Sequence, residues 1–318
     1  MSFPIRRKAL IGFGVAAVSL LGACSSDKSS DNGSDLSGTI LIDGSSTVAP
    51  LITLAAEDFQ TENSGVRVTV GTSGTGGGFE KFCAGETDIS NASRAIKDEE
   101  AQACADAGVE YYEMIIANDA LTVVVNKEND WATCLTVDQL KTMWEPAAEG
   151  TVNNWNAVDS TFPDQELTLF GPGTDSGTFD YFTKAINGEE GSSRTDYSPS
   201  EDDNVTISGV EGDKGALGYF GYSYFEENAD KLVALEIDNG SGCVAPSVES
   251  VQDGSYAPLS RPLYIYVKKD AAARAEVKAF VQYFYDNQDA FSDEALFVGL
   301  DSTQKATEQE NLAAIEGA

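Results

Sequence analysis

Short apolar runs alternate along the chain with segments whose apolar residues recur at helical spacing. Thr39-Ile40-Leu41-Ile42 reads as a strand, as do residues 66–70, 121–125, 167–170 and 263–267. Between them, Leu51, Leu54, Ala55 and Phe59 predict a helix over 50–63, with Pro50 suited to its first turn. Phe79, Phe82 and Cys83 mark a second helical face, and Phe179, Phe182 and Ile186 a third. Residues 271–285 predict one late helix. Alternation of this kind predicts an α/β protein with mostly parallel strands.

The start of the chain breaks the pattern. Arg6, Arg7 and Lys8 precede an apolar run over 9–21 that is too short to span a bilayer comfortably. Leu21-Gly22-Ala23-Cys24 follows and resembles the bacterial lipobox. That implies a lipoprotein signal peptide over 1–24, with Cys24 lipidated after cleavage. Residues 25–37, rich in Ser, Asp, Asn and Gly with one leucine, lack the apolar surface to fold. They read as a flexible tether reaching roughly 20 Å. The folded part is expected to start near Gly38, held by lipid on the outer face of a bacterial membrane, periplasmic or at the cell surface.

Composition narrows the function. The chain carries 20 basic and 52 acidic residues, a net charge of −32, and loss of the three leading basic residues makes the remainder more negative. Nucleic acid is excluded as a partner, and so is a membrane surface other than through the anchor. The absence of histidine excludes a Ser-His-Asp triad, a Cys-His pair and the usual zinc sites. Four cysteines remain after Cys24: Cys83, Cys104, Cys134 and Cys243. An even count in an exported chain favours disulfides over buried free thiols. Three pairings are possible; Cys83 with Cys104 is the local choice, which leaves Cys134 with Cys243.

Three turns repeat one chemistry. Gly44-Ser45-Ser46-Thr47 precedes the helix expected near Pro50. Gly71-Thr72-Ser73-Gly74-Thr75-Gly76-Gly77-Gly78 precedes one expected near Phe79, and Gly171-Pro172-Gly173-Thr174-Asp175-Ser176-Gly177-Thr178 one near Phe179. Each sets hydroxyls and side-chain-free backbone at a helix N-terminus, where N–H groups lack intrahelical partners and the macrodipole is positive. A tetrahedral oxyanion suits such a place even in a strongly acidic protein. One such turn is ordinary capping chemistry; three between strands and helices point to a shared anion site. Arg94, in Asn91-Ala92-Ser93-Arg94 after a short apolar strand, adds a guanidinium able to grip an oxyanion with two parallel bonds. None of the turns fits a Walker or dinucleotide pattern.

Taken in order, Gly44-Ser45-Ser46-Thr47-Val48-Ala49-Pro50, Ser73-Gly74-Thr75-Gly76-Gly77-Gly78-Phe79, Thr87-Asp88-Ile89-Ser90-Asn91-Ala92-Ser93-Arg94, Asp175-Ser176-Gly177-Thr178 and Gly215-Ala216-Leu217-Gly218-Tyr219 resemble the phosphate-binding proteins of ABC phosphate importers. The resemblance implies the two-lobed periplasmic-binding-protein fold, type II, each lobe a mostly parallel sheet flanked by helices, with the ligand in the interlobe cleft. Lobe 1 would be 38–116 plus 256–318 and lobe 2 would be 117–255, so that each expected disulfide stays within one lobe. It further implies high-affinity binding of inorganic phosphate, delivery to ABC transporter permease subunits, a monomer, and neither enzymatic activity nor a cofactor or metal. Matched position by position, the phosphate ligands are Ser46, Thr47, Thr75, Ser176, Gly177 and Thr178. The better-studied branch has an aspartate where Ser93 or Arg94 stands here and an arginine near the place of Pro172. Arg94 and Asp175 are expected to replace them, as though the charged pair had exchanged lobes. Asp175, with Asp43 in reserve, is assigned as acceptor of the proton that phosphate keeps and sulfate lacks.

Other readings are weaker. Asp175-Ser176-Gly177-Thr178 also spells an aspartic-protease motif, but that chemistry needs two facing copies and the chain has one. A phosphate-ester hydrolase lacks histidine and a metal cluster, and an adhesion lipoprotein leaves the three turns unexplained. Sulfate, molybdate or a phosphorylated solute are the rival ligands. Arg194 is a further contact or a salt bridge at the cleft rim, while Trp144, Trp155 and Tyr219 read as core.

Overall fold

The computed structural model describes residues 36–174, 176–200 and 202–317. The expected signal peptide, Cys24, the tether up to residue 35 and Asp175 lie outside the described residues. Leu36, assigned to the tether, instead packs on the first hydrophobic core, because an isolated leucine beside an apolar cluster gains from cover.

One mixed sheet organises the chain. Its strands are β1 (Gly38–Gly44), β2 (Val66–Val70), β3 (Ile89–Ala92), β4 (Tyr111–Asn126), β5 (Thr168–Gly171), β6 (Ser198–Pro199), β7 (Ala216–Gly221), β8 (Leu232–Ala234) and β9 (Ser260–Lys268). Their order is β2-β1-β3-β9-β4-β7-β5-β6, with β8 also on β4. Pairings at the two flanks are parallel: β1 with β2 and β3, and β5 with β6 and β7. The long strands are antiparallel, since β4 carries the chain from one half to the other and β9 carries it back. Five helices matter below: α1 (Ala49–Glu62), α2 (Gly74–Cys83), α3 (Gly177–Asn187), α4 (Ala275–Asp286) and α5 (Ser302–Glu316). Among the described residues no helix is long and apolar enough to cross a membrane.

Two separate cores flank the crossing strands. One gathers Ile40, Leu51, Phe59, Ile89, Ile116, Ile265, Phe280 and Phe284. The other gathers Val123, Leu140, Trp144, Trp155, Phe182, Leu217, Tyr219 and Tyr256. Trp144, Trp155 and Tyr219 are fully buried there, and the Phe182 ring stacks on Tyr219 at 3.7 Å. Disulfides join Cys83 to Cys104 and Cys134 to Cys243.

The crossing itself carries a bulge. Ala117 pairs with Leu263 and Ile115 with Tyr264, so Ile116 is extra. Side chains satisfy the backbone that the bulge disturbs: Gln288 donates to Ile116 O at 2.9 Å, Tyr285 to Ile115 O at 2.8 Å, and Glu308 accepts from Ile115 N at 2.9 Å. The expected single helix over 271–285 is broken. A short turn at Lys269–Ala272 precedes α4, and Arg274 adopts an extended conformation between them. Leaving the helix lets its guanidinium pair with Asp88 at 2.7 Å.

Candidate anion-binding site

Each of the three turns sits at the carboxyl end of a strand and opens a helix. After β1 the chain turns through Ser45 to Val48 into α1, with Ser45 N bonded to Asn91 O at 2.9 Å. After β2 it enters α2 at Gly74, five residues ahead of the expected start, so the glycine-rich run is helix rather than loop. The cause is packing. A Cβ on Gly78 would stand 2.5 Å from Gly44 Cα, so only glycine lets α2 lie against the end of β1. After β5 the chain reaches α3 at Gly177, two residues earlier than expected, with Ser176 as N-cap accepting from Thr178 N at 3.2 Å. Neither Val48 before α1 nor Ser73 before α2 caps its helix with a side chain. In α1 the Ala49 amide is taken by Ser45 O at 3.1 Å and Pro50 has none, whereas the first amides of α2 are left to other partners.

The turns converge. Ser45, Ser46, Thr47, Gly74, Thr75, Gly76, Ser93, Arg94 and Gly177 line one cavity of about 800 Å³. An adjoining cavity of about 330 Å³ is lined by Ser46, Thr47, Gly177, Thr178, Asp119 and Asp180. Turns that are 130 positions apart meet closely: a Cβ on Gly177 would lie 3.2 Å from Thr47 Oγ1. The Thr75 hydroxyl lies 3.2 Å from Ser93 Oγ and accepts from Ser93 N. Ser176 lines neither cavity and serves as the cap of α3.

The charged residues depart from expectation. Arg94 reaches the large cavity, but its guanidinium fork is occupied by Glu100 at 2.7 and 2.8 Å. Burial alone would push the Glu100 carboxyl up; bonds from Arg94 and Lys97 N outweigh it and hold its pKa below the ordinary value. Arg94 is therefore a paired residue of the wall, not a free grip. Asp43 is likewise spent. It accepts from Ser73 N and Ser73 Oγ and pairs with Lys81 at 2.6 Å. Burial opposes its ionisation, yet these bonds keep its pKa low. Asp43 anchors the second turn and cannot act as the reserve acceptor. Arg194 is buried, with its backbone and side chain bonded to carbonyls of Trp144, Met143 and Val152 and its charge paired to Asp196. It ties loops of the second core together.

Two residues that the sequence did not reveal stand at the centre. Arg261, at the start of β9, lines the large cavity, pairs with Asp119 at 3.0 Å, donates to Thr47 Oγ1 at 3.3 Å and lies 3.6 Å over the Tyr181 ring. Asp180, in the first turn of α3, lines both cavities. Burial and the Glu190 charge raise its pKa, and Arg261 opposes them. The one available signal was scarcity: an arginine beside proline, at the mouth of a buried strand, in a chain with few cations.

The arrangement is one of main-chain amides, hydroxyls and two guanidinium groups, each paired to a carboxylate, around one space fitted to hold an anion. Comparison with known proteins agrees. The family model described as the PBP superfamily domain matches residues 29–288. The protein SphX of Synechococcus elongatus is 49% identical over 82% of this chain and 77% of its own length. The phosphate-binding protein PstS of Staphylococcus saprophyticus is 39% identical over 96% of this chain and 94% of its own. Among solved structures, a possible phosphate binding protein from Planctomyces limnophilus superposes with a TM-score of 0.84 at 44% identity, covering 88% of this chain and 99% of that one.

Proposed function

Because the chain belongs to the PBP superfamily, with the two-lobed fold of its phosphate-binding members, we propose that it captures inorganic phosphate between its three turns and hands it to the permease of an ABC importer. The observation that carries this reading is the meeting of Thr47 and Gly177 at the wall of a cavity that Thr75 and Ser93 also line. The uncapped N-terminus of α2 supplies amides, and the N-terminal ends of α1 and α2 supply positive partial charge, without formal charge. That is how a body of net charge −32 holds a dianion. The lobes are taken as 38–116 plus 256–318 and 117–255, with β4 and β9 as the crossing segments; at the boundary Ala117 packs in the first core, and Tyr256, Leu259 and Val298 pack in the second. Lipid at Cys24 keeps the protein on the outer face of a bacterial membrane, periplasmic or at the cell surface, and no chemical turnover of the ligand takes place.

Discrimination against sulfate falls to Asp180. Phosphate near neutral pH keeps a proton to donate to this carboxylate; sulfate brings only repulsion. Calorimetric titration, after carried-over ligand is removed, tests the whole reading. It is expected to give one phosphate per chain at roughly micromolar affinity or tighter and no response to sulfate at the same concentrations. Equal binding of both anions, or of neither, contradicts it.

A further inference from the structure

Arg261 stands where the three parts of the site meet. Its own strand, β9, is one of the two crossing segments; Asp119 lies on the other, β4; Thr47 belongs to the first turn; and Tyr181 belongs to α3 behind the third. The Tyr181 hydroxyl donates to Pro258 O at 2.8 Å, which holds the ring flat beneath the guanidinium. Nε and one amino group of Arg261 are used by Asp119 and Thr47, whereas Nη1 has no hydrogen-bond partner among the described residues. Next to it, Ser260 Oγ is buried at the cavity wall without a partner among them. Two groups able to donate are thus left unspent on the strand that returns the chain between the halves.

We propose, resting on the functional reading above, that Ser260 and Arg261 are ligand-binding residues, and that Asp119 is a positioning residue that orients Arg261 and tempers its charge. The guanidinium that the resembling branch carries beside its third turn is here supplied by the crossing strand. An anion in the cavity takes the free edge of the fork, while Asp119 keeps the other edge and holds its plane. Since the same guanidinium touches Thr47 and the Tyr181 ring, a bound anion draws the two halves onto one cation. Asp119 has an opposite effect on affinity. Its charge lies close to the anion and repels it, so the pair yields an arginine fixed in place whose attraction for the anion is partly offset by the neighbouring carboxylate.

The two partners therefore respond with opposite signs. Phosphate affinity is measured calorimetrically for the unsubstituted protein, Arg261→Gln, Arg261→Lys, Asp119→Asn and the double variant Arg261→Gln/Asp119→Asn, with thermal midpoints recorded in the absence of phosphate. Arg261→Gln is expected to bind roughly tenfold to a hundredfold more weakly. Arg261→Lys falls between, having charge without the fork. Asp119→Asn keeps an acceptor for Arg261 and is expected to bind phosphate more tightly. The double variant recovers part of the Arg261→Gln loss, because the uncompensated carboxylate is gone. A pair that only braces the crossing strands would lower midpoint and affinity together in both single variants; that result, or unchanged affinity in Arg261→Gln, overturns the proposal. If the unsubstituted protein takes up no phosphate, both readings fall, and the fault lies in the functional one.

Discussion

At the scale of single residues the site depends on atoms that are missing as much as on those present. Gly177 opens α3 and faces Thr47, and a methyl there would stand 3.2 Å from the hydroxyl oxygen. Its backbone is not left-handed, so alanine meets no backbone strain there. Gly177→Ala is expected to leave the thermal midpoint unchanged or raised while weakening phosphate binding about tenfold through displacement of Thr47; a variant with unaltered affinity would separate Gly177 from the site. Residues of this kind were legible because glycine, serine and threonine before a helix have a stated physical use. Arg261 was not. Its partner Asp119 lies 142 positions away, and nothing local to Ser-Arg-Pro distinguishes a ligand-facing arginine from an ordinary strand entry. Arg94, by contrast, stood out in the sequence, yet Glu100 six positions later holds it.

At the scale of elements, the strands and helices of the flanks follow from hydrophobic periodicity, and the departures come from tertiary partners. The apolar run at 121–125 marks only the end of β4, whose 16 residues begin with Tyr111, Tyr112 and Glu113 and carry no alternation. Helix α2 starts at Gly74 because the end of β1 leaves room for it, a fact outside its own residues. The junction of β4 with α5 yields a pH test. Burial pushes the Glu308 pKa up against the bonds from Asn311, Ile115 N and Tyr285. A carboxyl whose folded pKa is raised contributes stability below its unfolded value, about 4.3, and loses it as pH rises through the folded one. Glu308→Gln retains the acceptor without the charge. The midpoint of the variant relative to the parent should therefore climb as pH is raised from about 4 to 7, measured by thermal unfolding in a pH series. A pH-independent difference would mean that Glu308 stays ionised at no cost.

At the scale of the whole molecule, two cores joined through two antiparallel strands place the ends of three distant strand–helix units around one space. Neither disulfide ties one core to the other: Cys83 and Cys104 lie with the α2 cluster, and Cys134 and Cys243 lie in a small separate sheet. The crossing strands carry the chain between the cores, and they hold the bulge at Ile116 and the Arg261–Asp119 pair. A crystal structure grown with phosphate, the anion located by its density, tests the arrangement most directly. The anion is predicted within about 3 Å of the Thr47 hydroxyl, the amides opening α3 and the Thr75 turn together. An anion seated away from the turns, at Lys97 and Lys184 on the cavity wall or touching one turn alone, would contradict a shared cradle.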